Sequence, residues 1–258
     1  MQGIEKGEWP EIVKRLKSCE YPVPKAMIGD YDNWLCRSFA GRMLYALHDV
    51  ETALMVLATT VDVQPDWGHV PENGFSEVEH KVLCLKDLAE IIWELARNGE
   101  AALRYLDEAD RLCRSFAGRF RAADRGRCWV RRLEFKRECG RTAEAVAECL
   151  AMLESPEGGN SAGVVFAEEG VNPWLYYGNK FLAEQAAAAG DYAGACGLMV
   201  KAYSYFPLSA AGRDDLAAAG RLTEERERYE KYQWCTANQY RPWEYRPAAR
   251  SLAELREE

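Results

Sequence analysis

The sequence predicts an all-α protein, a solenoid of antiparallel helix hairpins. Three observations predict it. Apolar residues recur at helical spacing, as in Leu88, Ile91, Ile92 and Leu95. Strand-like stretches are nearly absent; only Ala162-Gly163-Val164-Val165-Phe166 hints at one. Short glycine or polar breaks fall at His48-Asp49, Asn98-Gly99, Cys139-Gly140-Arg141, Ala189-Gly190-Asp191 and Ala219-Gly220-Arg221, each with a helical stretch on either side. Helices joined by such short turns pack as antiparallel hairpins.

Taken in order, residues 1–33 form an N-terminal helix and linker. Trp9-Pro10-Glu11 opens a short amphipathic helix with proline in its first turn, and Ile12, Val13 and Leu16 are expected to pack over the first repeat. Residues 34–235 form the solenoid. The first pair runs from Trp34 to Trp67, the second lies around Leu85 to Arg114, and the third starts near Arg127. The fourth spans Tyr176 to Ser209. A fifth pair breaks at Gly220 and ends in Arg226, Glu227, Arg228, Glu230 and Lys231, a polar outer helix suited to cap a stack. Loops longer than a solenoid turn needs are expected near 66–75 and 155–173. The tail, 236–258, carries two Tyr-Arg-Pro triplets, at Tyr240 and Tyr245, and proline keeps it out of regular helix. Its aromatics are expected to cover the last helix.

The fourth pair has Ala183, then Ala195, Ala202 and Pro207, at steps of twelve, seven and five residues. The first repeats those steps with Gly41, Ala53, Thr60 and Pro65. Small side chains let two helices approach closely, and proline is expected to stop each second helix. The third keeps Leu133, Ala145 and Met152, with Pro156 one residue early. The second keeps Ala102 and Ala109 but has a shorter turn. In this pattern the chain resembles the tetratricopeptide repeat family, a helix–turn–helix of 34 residues ending in proline. The resemblance covers roughly 34–232. It implies a right-handed solenoid of about four to five pairs, and a concave face, lined by the first helix of each pair, that holds a peptide.

Mapped by spacing, that face takes Leu35, Ser38, Phe39, Arg42 and Tyr45 from the first pair, and Trp93 and Arg97 from the second. Arg127, Arg131 and Glu134 come from the third, and Tyr177, Lys180, Phe181 and Glu184 from the fourth. Aromatics beside arginine or lysine are the usual anchors of interfaces. The family's chaperone-binding members use a Lys/Asn carboxylate clamp; Ser38 and Arg42 stand there instead, so that clamp is not expected.

Composition narrows the alternatives. No stretch approaches the roughly 20 apolar residues that cross a membrane, and the first eight residues lack the pattern of a signal peptide. Nine cysteines without a Cys-x-x-Cys pair read as reduced thiols of a cytoplasmic protein rather than as disulfides or a zinc site. The net charge is −8, yet 111–141 holds eleven Lys and Arg against three acids, so the rest carries −16. That basic segment is an alternative contact for nucleic acid or an acidic protein. Its Phe116, Phe120, Trp129 and Phe135, at helical spacing, read as core.

Catalytic and metal signals are sparse, and neither catalysis nor a cofactor is expected. Glu77-Val78-Glu79-His80 supplies half of a di-iron bundle motif, but no second Glu-x-x-His exists, so it reads as a polar helix start. The glycine-rich 158–163 lacks the lysine of a phosphate loop, with Val164 in the next position. The reading is a non-enzymatic scaffold for a protein or peptide. Its alternatives are an accessory repeat domain of an enzyme system such as bacterial glycosyltransferases, and a nucleic-acid-contacting regulator. The octapeptide Leu-Cys-Arg-Ser-Phe-Ala-Gly-Arg occurs twice, at 35–42 and 112–119.

Overall fold

The computed structural model describes residues 3–19, 22–66, 76–120, 122–156, 158, 172–205 and 210–238. Among them are twelve α-helices and no strand. They divide into two units, the first ending at Phe120. The hinted strand at 162–166, most of both expected loops, Pro207 and the tail from 239 onward lie outside the described residues.

In the first unit α1 (Trp9–Lys17) buries Trp9, Ile12 and Leu16, one stripe of an amphipathic helix. It packs on α3 (Trp34–Ala46), which comes after the short α2 (Lys25–Ile28). The chain start is tied down by backbone bonds. Ile4 N donates to Met55 O at 3.1 Å, and Tyr31 Oη donates to Ile4 O at 2.8 Å. Arg37 holds the same corner: its Nε donates to Thr59 Oγ1 at 2.9 Å, Nη1 donates to Tyr31 O, and the guanidinium lies over the Tyr31 ring.

Asn33 caps α3 through Leu35 N. After a left-handed His48 (φ 60°), Asp49 caps α4 (Val50–Ala58). The pair closes on Gly41, where an added Cβ would lie 2.6 Å from Leu57 Cγ. Next, α5 (Glu77–Ala96) begins with a reciprocal cap between Ser76 and Glu79 and ends at a left-handed Arg97. It runs directly into α6 (Gly99–Ser115), capped by Asn98. Both α3 and α4 pack on α5.

Contrary to the expectation from its position, Pro65 does not end α4, which stops at Ala58, seven residues earlier. Hydroxyls stop it instead. Thr59 Oγ1 donates to Val56 O at 2.6 Å, and Thr60 Oγ1 donates to Leu57 O at 2.7 Å. The buried Lys81 ammonium then donates to the carbonyls of Thr60, Val61 and Val63 at 2.6, 2.5 and 2.9 Å. A positive charge suits a helix C-terminus, where carbonyls have no helical partner.

In the second unit α7 (Ala122–Glu138) turns at Gly140 (φ 79°) into α8 (Thr142–Glu154). Likewise α9 (Pro173–Ala188) turns at Gly190 (φ 84°) into α10 (Tyr192–Tyr203), capped by Asp191. Helix α9 is the centre, touching α7, α8 and α10, and every residue from Pro173 to Asn179 is buried. Trp129, Trp174, Phe181, Ala183 and Ala195 form its core, each apolar side chain of Leu or Phe size contributing about 1.5–3 kcal/mol on burial.

The last pair, α11 (Ala210–Gly220) and α12 (Glu225–Asn238), departs from a strict stack. In a regular repeat the first helix of a pair packs on the preceding pair; here α12 packs on α10. The composition explains it: Leu216 is the one large aliphatic residue of α11, whereas α12 brings Tyr229 and Tyr232. Tyr203 Oη donates to Tyr232 O at 2.8 Å, and the Tyr192 and Tyr229 rings meet at 6.1 Å.

Two substitutions test the close approaches. Gly41→Ala gains about 1 kcal/mol of helix propensity but forces Leu57 to move. Ala195→Leu overpacks a site with no exposure. Each is expected to lower unfolding stability by about 1–3 kcal/mol, read from urea denaturation. An unchanged midpoint in Ala195→Leu means that α9 and α10 do not pack as described.

Candidate functional site

Helix α3 presents Trp34, Ser38 and Arg42 to α5 at four-residue spacing, so all three lie on one face. Opposite them stand Glu77, Cys84 and Asp87. Trp34 Nε1 donates to Glu77 Oε2 at 3.2 Å, Ser38 Oγ and Cys84 Sγ lie 2.8 Å apart, and Arg42 Nε donates to Asp87 Oδ2 at 2.9 Å. Glu77 also accepts from Asp66 N at 2.8 Å. The seam explains what became of the half di-iron motif: Glu79 belongs to the cap, and Glu77 fastens two chain segments. His80 is buried, and burial together with the nearby Arg42 charge pulls its pKa below the ordinary imidazole value.

No group of three or more His, Cys, Asp or Glu suited to hold a metal occurs among the described residues. The buried thiols are poor nucleophiles. Burial pushes Cys84 up, and Cys149 up to about 12, so both stay protonated at neutral pH. A cavity of about 310 Å³ opens between α6 and the segment after α4, lined by Val61, Leu85, Arg104, Tyr105 and Lys81 among others. The Lys81 ammonium is turned onto backbone carbonyls, and burial lowers its pKa.

The residues expected to line a groove are placed unequally. Phe39, Arg42 and Tyr45 on α3 and Trp93 on α5 are half-buried. Arg97 is exposed, with its guanidinium 5.3 Å from the Trp93 ring centre. Phe39 and Tyr45 pack at the edge of the first unit's core, and Arg42 is engaged by Asp87. In the second unit Tyr177 and Phe181 are only 6% and 2% exposed. They are core residues rather than anchors, because α7, α8 and α10 together surround α9. Glu184 is engaged by Arg137 at 2.7 Å, and Arg131 by Glu134 and Glu138, both at 3.0 Å. Arg127 and Lys180 are half-buried.

The basic segment 111–141 is largely neutralised from within. Among the described residues, at least seven of its cations pair with carboxylates. Arg111 meets Glu108, Arg114 meets Asp110, Arg131 meets Glu134 and Glu138, and Arg141 meets Glu144. Arg132 and Lys136 share Glu148, and Arg137 meets Glu184. Of its aromatics, Trp129 and Phe135 are fully buried. Sequence reasoning passed over Asp87 and Glu148, and did not pair Arg137 with Glu184; partners 45, 12–16 and 47 residues away leave no local signal. Gly159 to Gly163 of the glycine-rich stretch lie outside the described residues.

No protein-family model, curated protein or solved structure matches the chain.

The seam and its flank can each be tested by substitution. Lys81→Met leaves one buried and two part-buried carbonyls without this donor and is expected to cost about 1–3 kcal/mol, measured by urea denaturation. For His80 the folded pKa lies below the unfolded 6.5. The unfolded chain therefore binds the extra proton first, and stability falls as pH drops below about 6.5. His80→Gln should flatten that part of the stability profile relative to the parent chain, with Arg42, Glu77 and Glu79 as the neighbouring charges.

Proposed function

We propose that the chain is a non-enzymatic scaffold whose first unit binds a protein or peptide on the face shared by α3 and α5. The observation that carries this reading is the set Phe39, Tyr45 and Trp93, partly exposed beside Arg42 and Arg97. Four groups able to do chemistry in the same unit, Glu77, His80, Lys81 and Cys84, are meanwhile buried. Rigid aromatics next to guanidinium groups offer large contact area at low entropic cost. Each unit is read as a short stretch of right-handed, tetratricopeptide-like solenoid, supported by the repeated spacing of small residues and by helices packed in neighbouring pairs.

No described helix is long and apolar enough to cross a membrane. All nine cysteines are free thiols, which fits a reducing compartment, and we place the chain in the cytoplasm.

Affinity capture with the purified chain, with titration of the recovered partner, tests the reading. Phe39→Ala and Trp93→Ala are expected to weaken binding by about 1–3 kcal/mol each while leaving the melting midpoint nearly unchanged. Binding that ignores both variants but collapses with added salt would move the interface to the basic segment, since phosphate contacts release counterions.

A further inference from the structure

The cavity of about 310 Å³ lies wholly within the first unit. Helix α6 gives it one stripe, from Ala101 through Arg104, Tyr105 and Glu108 to Leu112. Leu85 on α5 and Leu112 are buried, whereas Arg104 and Gln64 are exposed and so stand at its mouth. The volume falls at the small end of the range for small-molecule sites, about 300–1,000 Å³. Phe39, Arg42, Tyr45, Trp93 and Arg97, the residues proposed above to hold a peptide, do not line it.

The polar groups around the cavity are unequally occupied. Lys81 donates to three carbonyls, and a neutral amine has only two N–H bonds, so the group is an ammonium. Asp62 and Glu108 act on that charge from beyond hydrogen-bonding range. Glu108 is itself taken: Arg111 Nε and Nη2 donate to its two oxygens at 2.7 and 2.6 Å. Among the described residues Arg104 makes no hydrogen bond or ion pair, and neither the Gln64 amide nor the Tyr105 hydroxyl has a hydrogen-bond partner. Burial raises the Tyr105 pKa, which keeps the phenol a donor at neutral pH. Three cations, Lys81, Arg104 and Arg111, stand against two acids, Asp62 and Glu108, leaving one positive charge in surplus.

We propose that this cavity binds a small organic carboxylate, one carboxyl group on a short aliphatic body. A free guanidinium accepts a planar carboxylate in a two-pronged pair, which a lysine does not do. Arg104 supplies that pair, and Gln64 and Tyr105 supply neutral donors. The hydrocarbon covers Val61, Leu85 and Leu112, which inorganic anions would leave wet. A surplus of one charge matches a monoanion, whereas a phosphate dianion meets Asp62 and Glu108 with too few cations.

Titration of the full-length chain with 4-methylpentanoate, followed by backbone amide chemical shifts, tests this. Saturable shifts are expected at residues 61–64 and 101–112. The matching amide, 4-methylpentanamide, and inorganic phosphate should produce none that saturate. Arg104→Gln, at an exposed position, should keep the parent melting midpoint and weaken the acid about tenfold or more, the loss of a charged hydrogen bond. Arg104→Lys keeps the charge without the fork and should fall between the two. Acid and amide binding alike, or an Arg104→Gln variant binding like the parent, would make the cavity a plain apolar cleft and overturn the proposal. Phosphate shifting the same amides as strongly, or no saturable shift with the acid, would overturn it as well.

Discussion

The helix pairs depend on side chains being absent where two backbones cross. Gly41 against Leu57 and Gly178 against Leu153 and Trp129 leave no room for a Cβ, and Gly126 sits the same way on Pro173 and Tyr177. Ala53, Ala183 and Ala195 are fully buried. Interaxial distance is set by the residues at the contact, and once it is small, large neighbours on either side interdigitate at interior density. Trp129, Phe135, Phe181 and Leu57 are buried for that reason: the small residues bring the helices near enough for the large ones to meet.

Charge performs a different task in each unit. In the first, three polar links hold α3 to α5, and Lys81 on α5 holds the turn after α4. In the second, a basic helix, α7, is laid against acids from α8 and α9, with Glu148 bridging Arg132 and Lys136. Partly exposed pairs of this kind add little net stability, because desolvation and side-chain ordering offset the attraction. Their geometry nevertheless constrains register, since Glu148 and Glu184 meet their partners only when α8 and α9 sit correctly along α7.

Local signals were readable in the sequence. The breaks at His48-Asp49, Asn98-Gly99, Gly140 and Gly190-Asp191 are turns between paired helices, and Gly41, Ala53, Ala183 and Ala195 are contact points. Features that depend on distant partners were not readable. Helix α4 stops at the hydroxyls of Thr59 and Thr60 and the turn after it is held by Lys81, some twenty residues on, so the proline that looked like a stop signal was misleading. Tyr177 and Phe181 keep the spacing of a groove-lining stripe, but spacing states only that residues share a face. Whether that face is open depends on what lies on it: every residue of α9 from Pro173 to Asn179 is buried, whereas Phe39 and Tyr45 remain partly exposed although α3 touches α1, α2, α4 and α5.

All nine cysteines are free, and seven of them, Cys36, Cys84, Cys113, Cys128, Cys149, Cys196 and Cys235, are buried. They are spread over α3, α5, α6, α7, α8, α10 and α12. A thiol sealed in a helix contact reacts with a modifying reagent only when that contact opens, so its rate of modification reports the free energy of local opening. The molecule thus carries its own set of clocks, one in each of seven helices. They can rank the contacts by how readily they part without a foreign label being introduced.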